Sequence, residues 1–124
     1  MTSTSTHFLY VTDVSASATF YARLLDLEPT EVSATFVLFV LSQGLTLGLW
    51  EKADVQPAPL TGGGGGELGF KVAHVSEVDR IHEAWVAKGA STPFPPTDLD
   101  FGRSFVALDP DGHRLRVYAV VGDR

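Results

Sequence analysis

Residues 7–25 read HFLYVTDVSASATFYARLL, and their order decides the fold. HFLYVT has the composition of a strand, and SASATFYARLL that of a helix. About sixty residues later the same succession returns, the signature of an internal repeat. ELGFKVA, residues 67–73, reads as a strand, and SEVDRIHEAWVAKG, residues 76–89, as a helix. In that helix Val78, Ile81 and Trp85 fall on one face, with Ser76 as the expected N-cap and Gly89 as the C′ residue. Three runs follow the first strand–helix pair: EPTEVS (28–33), FVLFVLS (36–42) and LTLGLWE (45–51). Three follow the second: TPFPPTD (92–98, weakened as a strand by its prolines), RSFVAL (103–108) and RLRVYAV (114–120). Asp109-Pro110-Asp111-Gly112 reads as the turn joining the last two. The order β-α-β-β-β therefore occurs twice.

Between the repeats lies TGGGGGE, residues 61–67, preceded by Pro57 and Pro59. Five consecutive glycines lose the maximum backbone entropy on ordering, so they hold neither helix nor strand cheaply and read as a linker. This run is not followed by Lys-Ser/Thr and opens no helix, so it is no phosphate-binding loop. The expected organisation is one domain over residues 1–124, with a first module at about 6–52, a linker at about 53–66 and a second module at about 67–121.

Composition narrows the function classes. The 124 residues are 44% hydrophobic and 19% charged, as in an ordinary globular chain. A net charge of −6 argues against nucleic acid, whose phosphates need clustered Lys and Arg. The longest apolar run, Phe36 to Leu41, is far short of the ~20 residues of a membrane span. MTSTSTH lacks the charged and apolar regions of a signal peptide, which gives a cytoplasmic expectation. The absence of cysteine removes disulfides, thiolate nucleophiles and Cys-type zinc sites.

The pattern V-x-D-x-x-x-S-x-x-F-Y-x-x-L-L-x-L at Val11–Leu27 resembles the first module of the glyoxalase / bleomycin-resistance / extradiol-dioxygenase (vicinal oxygen chelate) superfamily. DFGRSFVALDPDGHRLRVY, Asp100–Tyr118, resembles the last two strands of its second module. The resemblance implies an α+β fold of two βαβββ modules forming a cup-shaped curled sheet, completed in a homodimer. Within the superfamily, D-F-G-R-S-F and the Trp closing the fourth strand look most like the small phenazine-type antibiotic resistance proteins, which bind a planar aromatic drug without chemistry. Fold alone decides little, because the superfamily also holds lyases, isomerases and dioxygenases.

In metal-using members the ligands come from the first and fourth strands of each module and point into the cup. Matching the motifs puts those positions at Thr6, Gly48, Glu67 and Arg116. Strand alternation sends His7 to the opposite face from Thr6. A divalent cation needs several His or carboxylate ligands, and a guanidinium at a ligand position repels it. No metal or other cofactor is therefore expected. His74 and His82 read as capping or solvated residues, His113 as a turn-end residue, and no G-x-S-x-G is present.

The same inward positions read instead as an aromatic pocket. The expected ligand-binding residues are Phe8, Tyr10, Trp50, Phe105 and Tyr118, with Glu67 and Arg116 as polar groups and Phe101 and Gly102 in a wall-forming loop. Gly48 is expected to leave room for a flat ligand beside Trp50, and Gly102 to admit close approach of backbone to ligand. Arg116 either pairs with Glu67 or grips a ligand carboxylate or phenolate with its planar fork. No catalytic residue is assigned. The resulting expectation is metal-free sequestration of a planar aromatic small molecule, an antibiotic. The alternative is a lyase, isomerase or dioxygenase of the same fold, with a divalent metal or with Glu67 as a base.

Overall fold

The computed structural model describes residues 4–120. It divides the chain into two compact units, Met1–Gly63 and Gly64–Arg124, each with its own four-stranded sheet.

The first unit runs β1 (Ser5–Val11), α1 (Val14–Leu25), β2 (Glu31–Val32), β3 (Phe36–Ser42) and β4 (Leu45–Glu51), then a short 3-10 turn at Lys52–Asp54. The sheet order is β1-β4-β3-β2, with β1 parallel to β4 and the other pairs antiparallel. Asp13 starts α1 by accepting a hydrogen bond from the Ala16 amide at 3.1 Å. A second free amide, that of Val14, donates to Glu51 Oε1 at 2.9 Å, which ties the end of β4 to the start of α1. Leu9, Val11, Val37, Phe39, Leu47 and Leu49 bury one face of the sheet against Val14, Tyr21 and Leu24 of α1. The opposite face carries no helix of this unit. EPTEVS yields only the two-residue edge strand β2, because Pro29 donates no ladder hydrogen bond.

The second unit repeats the plan: β5 (Glu67–Lys71), α2 (Val75–Ala87), β6 (Ser91–Leu99), β7 (Gly102–Leu108) and β8 (Arg114–Val120), in the order β5-β8-β7-β6. Helix α2 packs Val78 and Trp85 on Leu68, Phe105, Leu115, Val117 and Ala119. Arg103 pins it further, donating to Asp79 Oδ1 from Nε and Nη2 at 3.1 and 3.0 Å and to Asp98 Oδ1 from Nη1 at 3.1 Å. Asp79 first, then Asp98, holds the guanidinium pKa above its ordinary value.

One local expectation needs correction. The N-cap of α2 is His74, whose amide donates to Glu77 Oε1 at 3.2 Å, and Ser76 lies inside the helix. The proline-rich TPFPPTD lies within a nine-residue strand, β6. It tolerates its prolines because it is an edge strand with register shifts on both sides of Phe94. The end of α2 is as expected: Gly89 has φ 90°, and the Gly89 and Ala90 amides donate to the Val86 and Trp85 carbonyls at 2.9 and 3.0 Å.

The β7–β8 turn is organised by Asp109. Its Oδ1 accepts from the Asp111 and His113 amides, both at 2.8 Å, and Gly112 supplies the positive φ of 81°. His113 thus contributes backbone to a turn.

Candidate functional site

Alternation leaves each sheet one face without a helix of its own unit, and these two faces carry the candidate residues. In the first unit the face is aromatic. Phe8 and Tyr10 stand on β1, with 48% and 38% exposure. They pair with Gly48 and Trp50 of β4, and Trp50 pairs in turn with Phe36 of β3. Trp50 is the hub: its ring centroid lies 6.0 Å from Phe8, 6.3 Å from Tyr10 and 6.4 Å from Phe36. Its indole N–H donates to Asp54 Oδ2 at 3.3 Å, so the turn after β4 orients the ring. Below them Thr6 and Thr46 share a hydrogen bond of 2.7 Å between their hydroxyls.

Gly48 works differently from expectation. A Cβ there would lie 2.9 Å from ring atoms of both Phe8 and Phe36. The absent side chain makes room for the chain's own rings rather than for a ligand. Phe36 was not foreseen as part of this face. Its strand was evident, but a bulge between Val40 and Ser42 shifts the register, so counting back from the Gln43-Gly44 turn misplaces it.

In the second unit the face is charged. Arg116 donates from Nε to Glu67 Oε1 at 2.6 Å, from Nη2 to Oε2 at 3.4 Å, and from Nη1 to Ser104 Oγ at 2.8 Å. Its guanidinium carbon also stands 5.9 Å from the Phe94 ring centroid. Arg114 brings a second guanidinium to the same carboxylate, with Nε 3.2 Å from Glu67 Oε2. That approach is off the hydrogen-bond line, and this buried Nε makes no hydrogen bond. Tyr118 lies along the strand from Arg116, its ring over Gly69 and 6.2 Å, edge-on, from Phe101.

Two candidates move away from this face. Phe105 is fully buried on the helix side, 5.4 Å from Trp85 and 5.1 Å from His82, ring centre to ring centre. Its partner across the ladder is Val117, whose neighbours Arg116 and Tyr118 point the other way. Gly102 does admit a close approach, but of the chain to itself: at φ 154° its missing Cβ would fall 1.9 Å from the Ala119 carbonyl oxygen. The histidines are structural too. His82 Nε2 is 3.2 Å from Thr92 Oγ1, and His74 caps α2.

These donors do not fit a divalent cation. The positions named by the motifs hold a neutral threonine pair, a glycine, and a carboxylate whose oxygens face two guanidiniums. Among the described residues no three His, Cys, Asp or Glu side chains come together. A separate cleft of about 420 Å³ in the first unit is lined by Thr12, Lys52, Val55, Gln56 and Pro59 among others, and by none of the aromatic residues above.

The comparisons with known proteins agree with this architecture. Phenazine antibiotic resistance protein EhpR of Enterobacter agglomerans is 29% identical over 113 residues, 88% of this chain and 85% of that protein. A protein of Agrobacterium tumefaciens, solved by NMR in solution, is 46% identical and superposes with a TM-score of 0.87, covering 98% of this chain and 100% of its own. A glyoxalase-related enzyme of Fulvimarina pelagi, 24% identical, has the same fold with a TM-score of 0.82 over 93% of this chain and 86% of its own. No helix among the described residues is long and apolar enough to cross a membrane. The family model of the Glyoxalase/Bleomycin resistance protein/Dioxygenase superfamily matches residues 4–117, and with its two βαβββ modules the chain belongs to that superfamily.

Proposed function

We propose that this protein binds and sequesters a planar aromatic small molecule, an antibiotic, without a metal and without turnover, as a cytoplasmic homodimer. The observation that carries the reading is the cluster of exposed Phe8 and Tyr10 with half-buried Phe36 and Trp50 on the open face of the first sheet. Isolated exposed aromatics are common, but four in mutual contact around an anchored indole make a stacking platform. The likeness to a phenazine resistance protein supports the same ligand class. The metal-dependent alternative finds no donor set among the described residues, and Glu67, the one carboxylate at a motif position, already faces Arg114 and Arg116.

Stacking on an aromatic side chain contributes about 1–3 kcal/mol, so Trp50→Ala should weaken binding about 5- to 150-fold. The test is fluorescence quenching by phenazines. Loss of quenching and of affinity in Trp50→Ala is expected, and retention of both would overturn the assignment of the platform. Stoichiometric Ni, Zn, Fe or Mn in the purified protein would overturn the metal-free reading, and sedimentation equilibrium at monomer mass would remove the dimer.

A further inference from the structure

The charged face of the second sheet is unbalanced. Two guanidiniums, Arg114 and Arg116, converge on one carboxylate, Glu67. Arg116 is fully engaged, by Glu67 and Ser104, and its side chain is only 18% exposed. Arg114 is not: it shares Glu67 without hydrogen-bond geometry, its buried Nε has no acceptor, and its side chain is 42% exposed. Two guanidiniums sharing one carboxylate leave a net positive charge, which a second anion would neutralise at the exposed end of Arg114. The excess positive charge sits in a protein whose net charge is −6, so it is a local feature and not a consequence of composition.

We propose that Glu67 stands in for a ligand carboxylate, and that this face selects aromatic acids. An incoming carboxylate takes the exposed end of the Arg114 side chain, while Glu67 stays on Arg116. Tyr118 follows the cationic pair along the same face of β8 with Phe101 against it, and offers its ring to the aromatic body of the acid. Charge-assisted, two-pronged hydrogen bonding is the arrangement in which Arg discriminates an acid from its neutral isostere. This proposal rests on the aromatic-ligand reading and adds the charge of the ligand to it.

The test is calorimetric titration with phenazine-1-carboxylate and phenazine-1-carboxamide. The acid is expected to bind at least about tenfold more tightly, the factor that corresponds to 1.4 kcal/mol. Arg114→Gln should abolish that preference. Glu67→Gln, which removes the internal competitor, should strengthen acid binding. A pair that is merely solvated predicts no change in either variant. Equal affinity for acid and amide overturns the anion subsite and leaves the aromatic-ligand reading intact. If neither phenazine binds, that reading falls, and NMR decides the subsite alone: benzoate, but not benzamide, must shift the Arg114 Nε–Hε resonance, and an unmoved resonance overturns it.

Discussion

The two modules share one backbone plan and put opposite chemistry on it. In the first, the large residue of the open face sits on the leading strand and the glycine on the closing strand, as the pair Phe8 and Gly48. In the second the pair is transposed, with Gly69 on the leading strand and Arg116 on the closing one. Each glycine leaves a gap that a ring covers: Phe8 and Phe36 over Gly48, and Tyr118 over Gly69. The first face thereby becomes a continuous aromatic surface, whereas the second keeps its bulk as guanidinium. A repeat with conserved pleat and register can thus be divided in labour by exchanging the occupants of a few inward positions.

The contrast can be broken most severely at the entries to β3 and β7. The first module enters β3 through a turn in which Ser33 Oγ accepts from the Phe36 amide at 3.1 Å. The second enters β7 through Gly102, where any Cβ meets the Ala119 carbonyl. Gly102→Ala is expected to cost about 3 kcal/mol or more, combining a glycine-only backbone conformation with a backbone overlap, and to lower the thermal midpoint accordingly. Ser33→Ala should cost at most about 1 kcal/mol, the loss of a small capping turn. Chemical denaturation of the two variants checks the ordering.

Next in size is the comparison of the two covered glycines. Gly48→Ala pushes a Cβ to 2.9 Å from two ring systems, which must swing aside. Overpacking of this kind costs about 1 kcal/mol, and the displaced rings should also weaken phenazine binding. Gly69→Ala meets only Tyr118, at 3.3 Å, and should change stability by a few tenths of a kcal/mol, about the size of an ordinary surface substitution. An equal effect at both sites would mean that the rings over Gly48 are not packed on the sheet. The smallest expected effect outside that pair is at the helix of the second module. Asp79 is half exposed, so Asp79→Asn, discounted for solvent screening, should cost about 0.5 kcal/mol in a urea titration.

Much of this was legible in the sequence, and the misses have identifiable causes. Strands β3, β4 and β8 were read at their observed ends because their apolar runs are bounded by turn residues. The charged face followed from alternation along RLRVYAV once the family resemblance had placed Arg116 inward. Phe105 was misplaced because its own strand says only that it alternates with Ser104 and Val106. Which face that means is fixed by pairing with β8: an Asp109–Gly112 turn counts Phe105 onto Arg116, whereas the observed register puts it opposite Val117, a helix-side residue. Phe36 resists even that count, since the β3 bulge adds a residue invisible to pattern. The purpose of Gly48 and Gly102 was hidden for another reason: a glycine records that space is needed, but not what fills it.

The position of β8 in its sheet has a consequence for synthesis. It lies between β5 and β7, so β5 gains its ladder partner only when β8, the last of the described strands in chain order, has been made. A nascent chain halted after Leu108 would hold α2, the β6–β7 hairpin and a strand with nothing to pair to, while Trp85 and Phe105 lacked Leu115, Val117 and Ala119 beside them. The sheet of the second module is therefore complete only once residues 114–120 are in place between β5 and β7.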